Sequence, residues 1–400
     1  MQAIEIKKDI WWVGAVDYDS RDFHGYSLSP EGTTYNAYLV KDAKNVLFDS
    51  VSQPFSGHML CRLAKALPLE EVDYLVCNHL ELDHAGTLAE LVARCKPEKI
   101  FCSQMGVKSM QGYFDCADWP VQAVKNGESL NIGSRTIRFF ETRMLHWPDS
   151  MVSYLPEDRL LFSNDAFGQN IASTVRYADE VSEEYLLNAV EAYYYNIVLP
   201  FSPQVLGALQ ALGGLDIEMI APDHGLIYRD KRSVDFILNA YARLAGQKPQ
   251  KRALIIYDSM WHSTEKMAHA VASGLEAVGV PSRVMSLKCN HHSHVMTELA
   301  RCGAVLAGSP THNNGVLPAM AAMLTYMKGL RPKNRVGGAF GSYGWSGEGP
   351  KIVHEWLASM GMEMPAPFVK TQWTPGHESL GQCHALGKAV GQALTAKCDG

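Results

Sequence analysis

The run His79-Leu-Glu81-Leu-Asp83-His84 constrains this chain more than any other feature. Four of its six side chains can ligate a metal, a density that neither a helix surface nor a solvated turn requires. The preceding stretch, Val72-Asp-Tyr-Leu-Val-Cys77, is short and mostly apolar, as a buried strand is. After Gly86, the segment from Thr87 to Arg94 has helical spacing with Thr87 at the N-cap position. The ligand-rich run therefore sits on a strand-to-helix loop, where a rigid scaffold presents functional groups.

Three downstream strand ends supply matching residues. His146 follows the strand-like Thr136-Ile-Arg-Phe-Phe-Glu-Thr142, Asp165 closes the hydrophobic run from Leu160 and precedes a glycine turn at Gly168, and His224 follows Met219-Ile-Ala-Pro-Asp223. A lone histidine is usually a satisfied structural residue. An ordered series of a dense loop, a histidine, an aspartate and a histidine, each at a strand end, is a metal site.

The series resembles the metallo-β-lactamase superfamily, which implies an αββα sandwich with two metals at one edge of the sheets. The hydrolases of that superfamily usually carry His-x-His-x-Asp-His, whereas Glu81 stands here at the second position. His79, Glu81, Asp83, His84, His146, Asp165 and His224 comprise four imidazoles and three carboxylates without a thiolate. Oxygen donors mixed with imidazole favour iron or manganese, and ligand type alone leaves zinc open. Seven ligands serve two ions if one carboxylate bridges them, and Asp165, central in the series, is the candidate bridge. The reading is a non-haem di-iron centre.

The second half carries a different pattern. Beyond the polar stretch Leu244–Arg252 comes the strand-like Ala253-Leu-Ile-Ile-Tyr257, then Asp258-Ser259-Met260-Trp261-His262-Ser263-Thr264 and an amphipathic helix from Glu265 to about Ala277. A hydroxyl-rich loop opening onto a helix N-terminus suits a phosphate monoester. Neither a glycine-rich dinucleotide fingerprint nor a Gly-Lys-Ser/Thr loop is present, so neither NAD nor ATP is indicated. Two further strand ends run into Ser309-Pro310-Thr311-His-Asn313-Asn314-Gly315 and Ser342-Tyr343-Gly344-Trp345-Ser346-Gly347. Glycine-rich backbone beside exposed aromatic residues accommodates a planar ring system, and open α/β sheets bind ligands at the carboxyl ends of their strands. These loops resemble flavodoxin and its FMN site.

A lactamase-like domain followed by a flavodoxin-like one resembles the flavodiiron proteins, or A-type flavoproteins, over essentially all 400 residues. The wording of residues 36–40, 141–150 and 309–315 is especially similar to the rubredoxin-using branch from anaerobic bacteria. The resemblance implies two domains, 1–248 and 249–400, the second a doubly wound parallel sheet. It implies reduction of dioxygen to water, with nitric oxide to nitrous oxide in some members. It places His79, Glu81 and His146 on one iron, Asp83, His84 and His224 on the other, and Asp165 between them, although His84 follows Asp83 directly and adjacent side chains on a loop need not point at the same ion. It also implies a head-to-tail homodimer, or a tetramer built from it, in which each FMN faces the di-iron site of the other chain. The short linker near Gly246–Arg252 points the same way.

A net charge of −6 without a basic stripe argues against a nucleic-acid partner. No apolar run approaches the roughly 18 residues that cross a bilayer, and the N-terminus has no signal-peptide pattern, so a cytoplasmic setting is expected. Nine scattered cysteines without Cys-x-x-Cys read as reduced, mostly buried thiols. They also exclude a built-in rubredoxin site, so a separate rubredoxin-like donor is expected to feed the FMN. The cluster His291-His292-Ser-His294 reads as the start of a flavodoxin helix; the clusters Arg21-Asp22-Phe23-His24-Gly-Tyr26 and Tyr193-Tyr194-Tyr195-Asn196 read as lining the di-iron pocket, with Tyr26 and Tyr195 as its walls. Two other functions stand against the reductase. A metal-dependent hydrolase with an attached flavodoxin domain conflicts with Glu81 and the complete FMN loops. A pure electron carrier conflicts with so many carboxylates in its metal site.

Overall fold

A computed structural model describes residues 1–399, which fall into two compact units. The first comprises residues 1–24, 29–193 and 201–245; the second comprises 25–28, 194–200 and the chain from 246 onward.

In the first unit a seven-stranded sheet runs in the order Ile4–Lys7, Ile10–Trp12, Tyr38–Val40, Val46–Phe48, Tyr74–Cys77, Lys99–Ser103, Val121–Val124. A five-stranded sheet of Ser129–Asn131, Thr136–Glu141, Met151–Leu155, Leu160–Phe162 and Met219–Ala221 forms the second layer. Alternation along each strand assigns its faces. Leu75 and Cys77 point to the side where Met59, Leu63, Leu88, Leu91 and Met110 of the covering helices pack. Val76, between them, joins Trp12, Tyr38, Phe48, Phe139 and Phe162 in the core shared by the sheets. Phe48 and Phe162 stack there with ring centroids 4.2 Å apart. Each such buried ring contributes about 1.5–3 kcal/mol relative to exposure. Two sheets joined by one core and faced by helices make the expected αββα sandwich.

The second unit is built on a wholly parallel sheet ordered Ser282–Ser286, Ala253–Tyr257, Ala304–Gly308, Val336–Tyr343, Val369–Gln372. In chain order that is 2-1-3-4-5, the flavodoxin-like doubly wound arrangement. Its central strands are apolar throughout because both faces are covered. Ala253–Tyr257 is buried at all five positions, and helices Ser263–Glu276 and His377–Asp399 contribute Met267, Val271, Leu386 and Val390 to one side. Six cysteines are buried, and all nine are free thiols. Among the described residues, no helix is long and apolar enough to cross a membrane.

The loop segments differ from expectation in small ways. Leu82–Ala85 closes a single helical turn inside the ligand run. Thr87 does precede the next helix, Leu88–Cys95, but its hydroxyl donates to the Val51 carbonyl at 2.9 Å instead of capping. The helix expected from Glu265 starts two residues earlier, at Ser263. His291 caps the helix His292–Leu299, as its cluster suggested.

Candidate functional site

The ligand run hangs between two pinned points. Behind it, the Asp49 carboxylate at the end of Val46–Phe48 accepts from the Asn78 amide at 2.7 Å and from its side chain at 2.7 Å. Ahead, the His84 carbonyl accepts from both the backbone and the hydroxyl of Ser50, at 2.9 and 2.6 Å. Gly86 follows because a Cβ there would lie 2.5 Å from the Leu82 carbonyl and 2.6 Å from the Gln53 amide. The third strand end is set by Asn164, left-handed at φ 47°. Its side chain donates to the Met151 carbonyl at 2.6 Å and accepts from Ala166 at 3.2 Å, holding Asp165 inward.

The structure brings all seven predicted ligands together, in two groups. His79, Glu81, His146 and Asp165 form one; Asp83, His84 and His224 form the other. In the first, His79 Nε2 lies 3.2 Å from Glu81 Oε2 and 3.3 Å from Asp165 Oδ2. His146 Nε2 lies 3.3 and 3.1 Å from the same two oxygens. In the second, Asp83 Oδ2 is 3.3 Å from His84 Nε2 and 3.2 Å from His224 Nε2. The remaining oxygen of Asp165, Oδ1, reaches this second group, 3.1 Å from His84 Nε2 and 3.4 Å from His224 Nε2. Asp165 thus divides its two oxygens between the groups.

The donor set fits metal ions. Two donors on one ion with bonds of about 2.0–2.1 Å lie roughly 2.9–3.4 Å apart for bond angles near 90–109°, the spacing found within both groups. All four imidazoles turn Nε2 inward. A carbonyl can only accept, so His224 Nδ1, 2.7 Å from the Thr34 oxygen, donates, leaving Nε2 as the inward acceptor. That atom nevertheless stands 3.1 Å from His84 Nε2, an approach of two nitrogens that a shared positive charge relieves. Burial by itself would lower the histidine pKa values, but the facing carboxylates prevail. Asp83 and Asp165 raise His84 to about 10, and Asp165 and Glu81 raise His146 to about 9. Burial likewise opposes ionisation of Glu81 and Asp165, yet the surrounding imidazoles hold both carboxyls well below the usual range. Protons and metal cations compete for the same inward lone pairs.

His24 belongs to a cluster expected at the pocket, whereas Asp149 and Trp147 were not legible as site residues. His24 Nε2 sits 2.9 Å from Glu81 Oε1, a contact that raises its pKa. Asp149 stands behind His79, its Oδ2 3.2 Å from Nδ1. The Trp147 ring packs edge-on to His79 at 5.3 Å. The two expected pocket tyrosines have these contacts within their own unit. The Tyr195 hydroxyl accepts from buried Arg335 at 2.9 Å, and the Tyr26 ring meets Tyr326 at 5.9 Å, all within the second unit. The tyrosine whose ring stands 6.0 Å from the His224 imidazole is Tyr193.

In the second unit the three predicted loops enclose a cleft of about 820 Å³ at the carboxyl ends of the parallel strands. Ser259, Met260, Trp261 and Ser263 line it from the first loop, Pro310, Thr311, Asn313 and Asn314 from the second, and Ser342, Tyr343, Gly344, Trp345 and Ser346 from the third. His312, Trp373 and Thr374, not anticipated, complete it. The other predicted residues shape the walls. Ser309 is fully buried, donating to the Pro310 carbonyl and accepting from the Leu317 amide. Thr264 is buried with its hydroxyl 3.4 Å from that of Ser342. Gly315 closes a turn with His312, Gly347 lies under the Tyr343 ring, and His262 pairs with Glu265 at 2.5 Å.

This cleft has the properties a flavin mononucleotide requires. Trp261 and Trp345 are each 86% exposed and Trp373 61%, three indoles with little protein over them around one cleft. The Ser259 hydroxyl is buried without a hydrogen-bond partner just before the helix Ser263–Glu276, where a phosphate would satisfy it.

Comparison with known proteins agrees with both halves. Residues 33–225 match the ODP family beta lactamase model and residues 255–386 match flavodoxin. The chain is 51% identical over 399 residues to a rubredoxin-oxygen oxidoreductase of Megalodesulfovibrio gigas, covering 99% of each. It is 42% identical to a nitric oxide reductase of Moorella thermoacetica, covering 97% of this chain and 98% of that one. The crystal structure of the flavodiiron protein from Giardia intestinalis, 32% identical, superposes with a TM-score of 0.95 over 100% of this chain and 98% of that one. With such identity along nearly its whole length, and with both halves matched, the chain belongs to the flavodiiron protein family.

Proposed function

We propose that this protein is an oxidoreductase that reduces dioxygen to water, and nitric oxide to nitrous oxide, with electrons from a rubredoxin-like donor entering through FMN. The observation that carries the reading is the division of Asp165, one oxygen toward His79 and His146, the other toward His84 and His224. In it, His79, Glu81 and His146 hold one iron, Asp83, His84 and His224 the other, and Asp165 bridges. Bound there, the two irons supply the redox centre at which the gas accepts electrons. The protein's own part is to hold these ligands in a pocket closed to bulk water. His79, His84 and His224 are fully or almost fully buried, and Tyr193 and Trp147 pack beside them.

Ser259, Ser263 and Thr264 would hold the FMN phosphate, and Trp261, Tyr343 and Trp345 its ring. Residues 1–248 then act as the metal domain and 249–400 as the flavin domain. The protein works in the cytoplasm as a head-to-tail homodimer in which FMN of one chain serves the irons of the other. The hydrolase alternative is disfavoured by Glu81 at a position where those enzymes carry histidine, and by an FMN cleft that hydrolysis has no use for. Metal and flavin analysis tests the proposal, with about two irons and one FMN per chain expected. Two zincs with no gas consumption would instead support a hydrolase. Turnover of dioxygen and nitric oxide, measured side by side with a reduced rubredoxin, tests the substrates.

A further inference from the structure

His79 and His224 both turn Nε2 toward the ligand groups and Nδ1 away, but the acceptors behind them differ in charge. His79 Nδ1 faces the Asp149 carboxylate, with Oδ2 at 3.2 Å. His224 Nδ1 donates to the neutral Thr34 carbonyl at 2.7 Å. For His84, the Asp223 carboxylate stops 3.7 Å from Nδ1, beyond a hydrogen bond, and neither that nitrogen nor either Asp223 oxygen has a hydrogen-bond partner. Asp149 is also held firmly. It is 1% exposed, its Oδ2 accepts from the Leu80 amide at 2.8 Å, and its carbonyl accepts from the Ser103 hydroxyl at 2.7 Å. A carboxylate on the far nitrogen fixes the ring orientation and makes the imidazole a stronger donor through the near one. A stronger donor binds a cation more tightly and favours the more highly charged ferric state.

We propose that Asp149 is a positioning residue that acts through His79 to make the two metal positions unequal. The iron held by His79, Glu81 and His146 is the tighter of the two and the one with the lower reduction potential. This inference rests on the di-iron reading above.

The test is Asp149→Asn. Its amide oxygen can occupy the Oδ2 position and accept from both His79 Nδ1 and Leu80, so the geometry is kept while the negative charge is lost. In protein loaded with ⁵⁷Fe, the variant should bind one of its two irons about 10- to 100-fold more weakly in competition with a chelator. One iron signal in the Mössbauer spectrum should change while the other holds, and one potential in a spectroelectrochemical titration should rise alone. Asp149→Glu, which keeps the charge, should restore part of the difference. If Asp149→Asn does not accumulate folded, Asp149→Ser carries the same expectation, because its smaller side chain leaves no unpaired amide where Oδ1 lies. Unchanged affinity and potentials, or equal shifts of both irons, would overturn the inference while leaving the di-iron reading intact. A wild-type protein that binds no iron would overturn the di-iron reading and this inference with it.

Discussion

Gly225→Ala should destabilise the metal-binding unit selectively. Gly225 follows His224 at φ +77°, and a Cβ there would come 1.5 Å from Gln169 Oε1 and 2.3 Å from the Gln169 carbonyl. No rotamer relieves both, because one of the two atoms is backbone. A left-handed residue with a Cβ costs about 1–2 kcal/mol. Moving the Gln169 side chain breaks its bonds to the Leu226 carbonyl, the Tyr228 hydroxyl and the Leu226 amide, at 3.2, 3.0 and 2.6 Å. At about 1 kcal/mol net for each of these, with more where a buried group stays unpaired, the total reaches about 4–5 kcal/mol before any backbone shift. That is comparable to the whole stability of many domains, about 5–15 kcal/mol. In urea unfolding, tryptophan emission, with indoles in both units, should gain an early step from the first unit, while FMN fluorescence should keep an unchanged transition for the flavin unit. Iron content should fall because His224 is displaced. A variant within about 1.5 kcal/mol of wild type, with full iron, would refute the steric reasoning.

Three further outcomes are expected. Asp165→Ala should reduce both irons together, because its two oxygens face different ligand groups; elemental analysis showing one iron retained in full would refute the bridge. Ser259→Ala should weaken FMN binding by roughly 10- to 100-fold, the effect of losing a hydrogen bond to a charged group, measured by fluorescence titration of the apo-flavoprotein; unchanged affinity would remove Ser259 from the phosphate site. A mixture of His146→Ala protein with a Ser263→Ala, Thr264→Ala variant lacking FMN should regain gas consumption after subunit exchange. Exchanged mixtures that stay inactive would mean that each chain serves its own irons.

All seven candidate ligands were legible in the sequence because each lies in a local pattern. Four fall within six residues, and the other three each lie in the loop that follows a strand. The FMN loops were legible for the same reason, since every one follows an apolar parallel strand of five or more residues. What stands behind or beside a ligand was not. Asp149 meets His79 across 70 residues and Thr34 meets His224 across 190, and no spacing rule links such pairs. Trp373 joins the cleft only because the fifth strand pairs beside the fourth.

The tyrosines show most clearly where local reasoning stops. The cluster Tyr193-Tyr194-Tyr195-Asn196 reads as pocket-lining, but two residues along a helix are turned by about 200°. Tyr193 ends the helix Glu183–Tyr193 facing His224, and Tyr195 belongs to the next, wider turn, facing Arg335. Loop chemistry at strand ends, acting within a few residues, was enough to pick out seven candidate ligands and three candidate flavin loops, and the resemblance these motifs carry implied the fold class. Only the tertiary structure decided which oxygen of Asp165 meets which group, which nitrogen of each histidine turns inward, and which tyrosine borders the site. Those depend on contacts between segments far apart in the chain, whose directions are set by packing.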